Sequence, residues 1–400
     1  MGVGSPPSVK KLHEFHPLLL GVPGSGKSTF YEEVTHSSIR SSVRVDQFSY
    51  LIFMSLVKYV AAICWGIGKP VTVEEIQVDP PKATEVRVKM LCASLCHTDI
   101  SSIQGFPYVR AFSILCFNFL KNDNEISSSN GECQECENCV SGKTNLCQTY
   151  PIRLTGLMAD NTSRMSIRGQ RLHHVLSCAT RSEYMVSDAK YTLKVDPTID
   201  PAHASFISCG FSTGLGAAWK EAKVESGSSV AVFGLGAVGL GAISGAKMMG
   251  ATKIIGVDKN EMKRQKGEAF GMTNFINPGD SAKSVSELVK ELNGGMGVDY
   301  SFECTGVAPL LTESLEATKV VRTEPIIPFG LTSIMYGRTL KGSVFGGLKA
   351  ISDLSILANK CQKKEFPLQE LFTHQVPLVD INKAFELLKH PNCVKVVINM

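Results

Sequence analysis

The chain has little net charge to spare. Its 400 residues carry a formal charge of +4, spread thinly rather than gathered into basic runs, so no nucleic-acid partner is expected. It also lacks a clear membrane segment. The apolar stretch from Phe48 to Trp65 is interrupted by Lys58 and is short for a span, so no membrane role is expected. Met1 to His16 is polar and proline-bearing, unlike a cleavable signal. The 13 cysteines are odd in number, and several sit at metal-ligand spacing. That pattern points to a reducing, cytoplasmic compartment. With 44% hydrophobic residues and 35 glycines, the length suits two or three domains of α/β type.

Cysteine, by contrast, is concentrated. Cys133, Cys136, Cys139 and Cys147 follow C-x2-C-x2-C-x7-C within fifteen residues. Four thiolates in one short loop fit the closed tetrahedral shell of a structural zinc. The residues between them are polar or small, so the loop is no hydrophobic segment with incidental cysteines. Disulfides or an unliganded cluster are the alternative readings, and nothing else in the chain looks secretory.

A second signal lies mid-chain. The apolar run Ser229-Val-Ala-Val-Phe leads into Gly234-Leu235-Gly236-Ala237-Val238-Gly239 and then into helix-forming residues. Strand, G-x-G-x-x-G and helix, in that order, are what dinucleotide binding needs. Gly234 permits a tight turn, Gly236 admits a pyrophosphate against the backbone, and Gly239 lets helix and strand pack closely. The pyrophosphate then sits on the helix N-terminus. The next strand, Lys253–Val257, runs into Asp258, nineteen residues after Gly239. A carboxylate there binds both ribose hydroxyls and repels a 2′-phosphate, which selects NAD. A glycine-rich turn in some other α/β protein is the bland alternative. Beyond it, helix is expected over Glu261–Phe270 and Val285–Leu292, and strand over Asn274–Asn277 and Val298–Glu303, the alternation of a parallel sheet. Two further cysteines stand in Ser-Leu-Cys96-His97-Thr98-Asp99 and Ser-Cys209-Gly-Phe-Ser-Thr213-Gly. Either alone reads as a buried core residue.

Together these motifs, with Glu303-Cys-Thr305-Gly, resemble the zinc-dependent medium-chain alcohol dehydrogenases, and specifically their plant alcohol dehydrogenase-like branch, from about Ala61 to Met400. The resemblance implies a doubly wound α/β Rossmann cofactor domain over 211–343. It implies a discontinuous, partly opened β-barrel (GroES-like) catalytic domain over 62–210 and 344–400, with its zinc lobe at 131–148. It makes Cys96 and Cys209 thiolate ligands of a catalytic zinc. Thr98 becomes the hydroxyl that starts a proton relay, and His97 a basic group near the cofactor pyrophosphate. Asp99 becomes the acid that orients a zinc-ligating histidine. Thr213, Gly234 to Gly239, Asp258, Lys263 and Thr305 fall at NAD-contacting positions, and Lys395 where the family uses arginine on the phosphates. The implied reaction is reversible oxidation of a small primary or secondary alcohol to an aldehyde or ketone, with hydride passed to NAD. The implied assembly is a homodimer. A glutathione adduct of formaldehyde is an alternative substrate, and a non-catalytic remnant an alternative role.

The chain departs from this family in four places. Between Gly105 and Asn130 there is no histidine and no Gly-His-Glu, so the third ligand of the catalytic zinc is missing; Cys116 and Glu125 are the substitutes in reach of the sequence. After Lys319 the expected glycine turn and central strand are absent, with Val320 and Val321 forming at most a stub. Ser101 stands where many members carry a relay histidine. Residues 1–61 form an extension containing Gly21-Val-Pro-Gly-Ser-Gly26-Lys27-Ser28-Thr29, a full phosphate-binding P-loop pattern. Too few residues follow for a nucleotidase domain, so it is read as a fragment. The breaks suggest a rearranged or mis-joined coding sequence.

Overall fold

The computed structural model describes residues 57–105, 113–114, 125–176, 178–319 and 341–400. The P-loop pattern, Cys116 and the Val320–Val321 stub lie outside the described residues.

The first half of the described chain is built mostly from antiparallel ladders. Strand β1 (Val57–Cys64) pairs with β2 (Thr72–Val78), Ala61 opposite Glu74. It begins inside the stretch that the sequence assigned to the extension, because Tyr59, Ala61 and Ile63 alternate into the sheet core. Then come β3 (Glu85–Lys89), β4 (Cys92–Ser94), helix α1 (His97–Ile103), β5 (Ser113–Ile114) and β6 (Glu125–Ser127). The short helix α2 (Glu137–Ser141) lies in the cysteine lobe and ends at Gly142 with φ +67°. Strands β7 (Met165–Ile167), β8 (Gln170–Arg171) and β9 (His173–His174) extend the first sheet to the order β8-β7-β2-β1-β5-β9. Strand β10 (Tyr184–Asp188) pairs with β3, and β11 (Thr192–Lys194) with β6. Helix α3 (Pro201–Ile207) follows; Asp200 caps it by accepting the His203 N–H at 3.1 Å, with Pro201 at the first turn.

Helix α4 (Gly210–Gly216) leads into the second half, where the sheet becomes parallel. Strand β12 (Ser229–Phe233) is buried along its whole length. Helix α5 (Ala237–Met248), β13 (Lys253–Val257), helix α6 (Arg264–Phe270), β14 (Asn274–Ile276), helix α7 (Val285–Leu292), β15 (Tyr300–Glu303) and helix α8 (Ala308–Glu316) complete the described part. The strand order is β14-β13-β12-β15, all parallel. Both faces are covered. Val230 and Val232 pack with Leu240 and Ile243 of α5, whereas Ala231 and Phe233 pack with Val285 and Val289 of α7. This is the doubly wound α/β arrangement read from the sequence. Helix α7 carries the capping box its sequence shows: Ser284 and Glu287 satisfy each other's backbone amides.

Helices α4 and α5 meet backbone to backbone. A Cβ on Gly214 would lie 1.7 Å from the Val238 carbonyl oxygen, and one on Gly241 2.1 Å from that of Phe211. Only glycine permits that approach.

The chain then returns. Helix α9 (Ser352–Gln362), β16 (Phe372–Pro377), helix α10 (Ile381–Lys389) and β17 (Lys395–Asn399) close the molecule. Strand β17 inserts between β16 and β4, setting Val397 opposite Ser94 and Ile398 opposite Ala93. The last residues thus pair with the segment that precedes Cys96, which is how a discontinuous domain closes on itself. Among the described residues, no helix is long and apolar enough to cross a membrane.

Candidate active site and metal centres

The four-cysteine lobe is pre-shaped for an ion. All four Sγ atoms lie within 4.8 Å of one another. Cys133 and Cys139 are 3.8 Å apart, and Cys136 and Cys147 3.9 Å. A tetrahedron with metal–sulfur bonds of about 2.3 Å has edges of about 3.8 Å, so the donor set fits zinc. Backbone amides point at the sulfurs: Cys136 N–H at 3.2 Å to Cys133, and Tyr150 N–H at 3.2 Å to Cys147. Burial opposes ionisation of Cys133, but the amides of Cys136 and Glu135 outweigh it and bring the thiol down to about 6. Burial pushes Cys139 up to about 12. Without an ion some of four adjacent thiols must keep their protons, and a bound dication releases them.

The lobe is tied to the returning chain. Glu132, buried, accepts the Ile351 and Ser352 amides at 2.7 and 2.9 Å, capping α9. Asn145 donates to the carbonyls of Val344 and Leu348 at 2.9 and 3.1 Å, and Lys349 donates to the Cys139 carbonyl.

The second centre joins residues far apart in sequence. Cys96 sits at the N-cap of α1 and Cys209 immediately before α4, yet their sulfurs are 3.6 Å apart. That spacing again matches one edge of a tetrahedral thiolate site. The Cys209 thiol, and behind it the Lys395 ammonium, hold the Cys96 thiol well below its ordinary range against the cost of burial. Thr98 places its hydroxyl 3.6 Å from the Cys96 sulfur. Lys395 is buried and donates to the Leu95 carbonyl at 3.1 Å. Glu125 lies in the β6–β11 ladder. Among the described residues, the lobe is the sole cluster of three or more His, Cys, Asp or Glu ligands close enough to share an ion.

Asp99 departs from its expected part. Instead of orienting a histidine, it is fully buried against Arg181, whose guanidinium reaches it at 3.0 Å. The same guanidinium donates to the Ser94 carbonyl at 2.7 Å, and Asp99 accepts the Cys96 amide at 2.9 Å. Burial raises the Asp99 carboxyl to about 7, opposed by the Arg181 charge. The pair therefore braces the turn that presents Cys96. Sequence reading missed Arg181; its one signal is an arginine followed by an apolar strand.

Several of the positions expected to meet a cofactor lie around the Gly234–Gly239 turn. Gly234 has φ +89°, the left-handed conformation its tight turn requires. A Cβ on Gly239 would lie 1.8 Å from the Gly234 carbonyl oxygen, whereas one on Gly236 would meet nothing within 4 Å. Asp258 accepts the Leu235 amide at 2.9 Å and pairs with Lys263 at 3.3 Å. Ala237 begins α5, and Val238 gives the carbonyl against which Gly214 packs. Thr213 bonds its hydroxyl back to the Cys209 carbonyl at 2.9 Å, tying Cys209 to α4, which packs on α5 through Gly214. Thr305 bonds to Glu303 and lies against Gly234. His97 is exposed at the start of α1. A cavity of about 910 Å³ lined by His203, Lys247, Phe270 and Cys361 lies at the other end of α5 and is separate from this turn.

Comparison with known proteins identifies the family. A zinc-binding dehydrogenase family model matches residues 237–355. Alcohol dehydrogenase 1 of Tanacetum cinerariifolium is 50% identical over 371 residues, covering 86% of this chain and 98% of that protein. A Catharanthus roseus protein named "CYP enzymes assisting alcohol dehydrogenase" is 52% identical over 376 residues, covering 87% and 100%. The solved alcohol dehydrogenase zinc-binding domain protein of Burkholderia ambifaria superposes with a TM-score of 0.76 at 25% identity, covering 86% and 100%. By relatives at this identity and coverage, the chain belongs to the zinc-dependent medium-chain alcohol dehydrogenase family.

Proposed function

We propose that this chain is an NAD-dependent alcohol dehydrogenase that reversibly oxidises a small primary or secondary alcohol. The observation that carries the reading is the Cys96–Cys209 pair, 3.6 Å apart and joined through α4 to the glycine turn. A metal held by these thiolates would acidify the alcohol, and the nicotinamide would accept its hydride. The chain supplies the positions. Asp258, already fixed on the Leu235 amide, presents a carboxylate to ribose hydroxyls and disfavours a 2′-phosphate. Gly236 leaves open the space for pyrophosphate at the start of α5. Lys395 adds a positive charge behind the thiol pair, and Thr98 takes the proton beside Cys96. The lobe at Cys133–Cys147 holds a second, structural zinc. In keeping with the family resemblance, the assembly is a cytoplasmic homodimer.

A specific observation favours a second reading, an NAD-binding remnant that holds only the lobe zinc. Among the described residues, no third His, Cys, Asp or Glu donor lies within shared-ion distance of the pair. Zinc per chain after chelator washing, paired with alcohol-dependent NADH formation, separates the two. Near two zinc with turnover supports the enzyme; near one zinc with intact NADH binding and no turnover supports the remnant.

A further inference from the structure

A third cysteine belongs to the same neighbourhood. Cys96, Cys178 and Cys209 come from three separate stretches of chain and pack together with Val175 and Leu176 in one small cluster. Cys178 is held by a reciprocal backbone bridge to Val175, both bonds at 3.2 Å. Between them Leu176 adopts φ +50°, an uncommon conformation for a branched side chain. Three thiols thus share one small packed cluster.

We propose that Cys178 supplies the third thiolate of the metal centre at Cys96 and Cys209. The proposal rests on the reading of that pair as a metal site. The Cys178 thiol now points to the Ser128 carbonyl at 3.5 Å, and the three sulfurs do not have the closed spacing of the lobe. Rotation about Cα–Cβ between staggered positions moves a cysteine sulfur by about 3 Å. What it gives up is one weak thiol hydrogen bond. Three thiolates and one dication leave a net single negative charge in a buried place. Lys395 is the compensating cation: its ammonium would lie 3.6 Å from a Cβ placed on Gly210, beside Cys209. Asp99 and Arg181 are paired with each other beside the centre. A three-sulfur site with one open position suits a soft or borderline ion such as zinc or cadmium and still leaves room for an exogenous oxygen.

The test uses the full chain, its Cys178→Ser variant, and Cys361→Ser as a control at a half-buried cysteine that lines the separate cavity beside His203. Zinc near two per chain in wild type and control, falling to near one in Cys178→Ser with NADH affinity retained, is the expected result. Near two in Cys178→Ser overturns the third-ligand assignment while leaving the metal reading of the pair standing. Near one in wild type overturns both. Should Cys178→Ser fail to fold, cadmium NMR of the wild-type chain decides. One four-sulfur and one three-sulfur resonance support the proposal, and a two-sulfur resonance for the second site refutes it.

Discussion

Replacing Gly236 with alanine separates what the fold requires of the glycine loop from what a ligand requires. At Gly236 the backbone lies at φ −81° and ψ −172°, which an L-residue adopts without strain. An added Cβ would meet no atom within 4 Å. Folding stability should therefore change by less than about 0.5 kcal/mol, the usual range for a substitution that disturbs no contact. The methyl would instead occupy the space where a pyrophosphate must approach the start of α5. Overpacking of that kind costs about 2–3 kcal/mol, equivalent to roughly 30- to 150-fold weaker binding. The matched comparison is Gly214→Ala, whose Cβ would sit 1.7 Å from the Val238 carbonyl oxygen and 2.7 Å from the Ala242 amide nitrogen. There α4 and α5 must separate, and about 3 kcal/mol of stability should be lost. Urea unfolding and NADH fluorescence titration on the three proteins measure both quantities. Gly236→Ala should lose affinity alone, and Gly214→Ala stability first. Wild-type NADH affinity in Gly236→Ala would refute the assignment of this loop to the pyrophosphate. A stability loss there as large as in Gly214→Ala would refute the claim that nothing in the fold occupies the space.

Other outcomes follow from the same contacts. Arg181→Met leaves Asp99 buried without its guanidinium and should cost about 3–5 kcal/mol; adding Asp99→Asn should restore much of it, as read from a double-mutant cycle of urea midpoints. Cys139→Ser should remove one zinc per chain and expose the segment around residues 133–147 to limited proteolysis, since the lobe's sulfurs are spaced for an ion. Lys82, Thr162 and Arg164 together hold the Asp160 carboxyl well below the usual carboxylate range. A depressed carboxylate stabilises the fold above its unfolded pKa of about 3.9 and loses that contribution as pH falls below it. With Asp160 more than a third exposed, the effect is screened to about 0.5–1 kcal/mol. Asp160→Asn should lower the melting temperature slightly at neutral pH and flatten its fall between about pH 5 and 3.

The parts of this site that could be read from sequence are those whose geometry is local. Four ligands within fifteen residues leave the chain few ways to arrange them, and the observed 3.8 and 3.9 Å sulfur spacings follow. The glycine loop is similar: strand, turn and helix are consecutive, and Gly234 takes the left-handed φ its position demands. The helices and strands from Glu261 to Glu303 appear where alternation placed them. Other features had no local signature. Gly214 is glycine because α5 crosses it, and nothing within α4 announces that contact. Asp99 was expected to serve a histidine, but its partner is Arg181, 82 positions away. Cys178 stands in Leu-Ser-Cys-Ala-Thr, which matches no ligand spacing, and gains meaning only beside Cys96 and Cys209.

The amino-acid sequence by itself determined the family, the cysteine lobe and the dinucleotide turn, because each rests on side chains close enough in the chain to set their own geometry. Tertiary structure decided which thiols pack together, which cation pairs with Asp99 and which helices touch through glycine. Those contacts join positions as far apart as Cys96 and Cys209, separated by 113 residues. They form only when burial of apolar surface in several elements at once fixes how β4, α1 and α4 sit together.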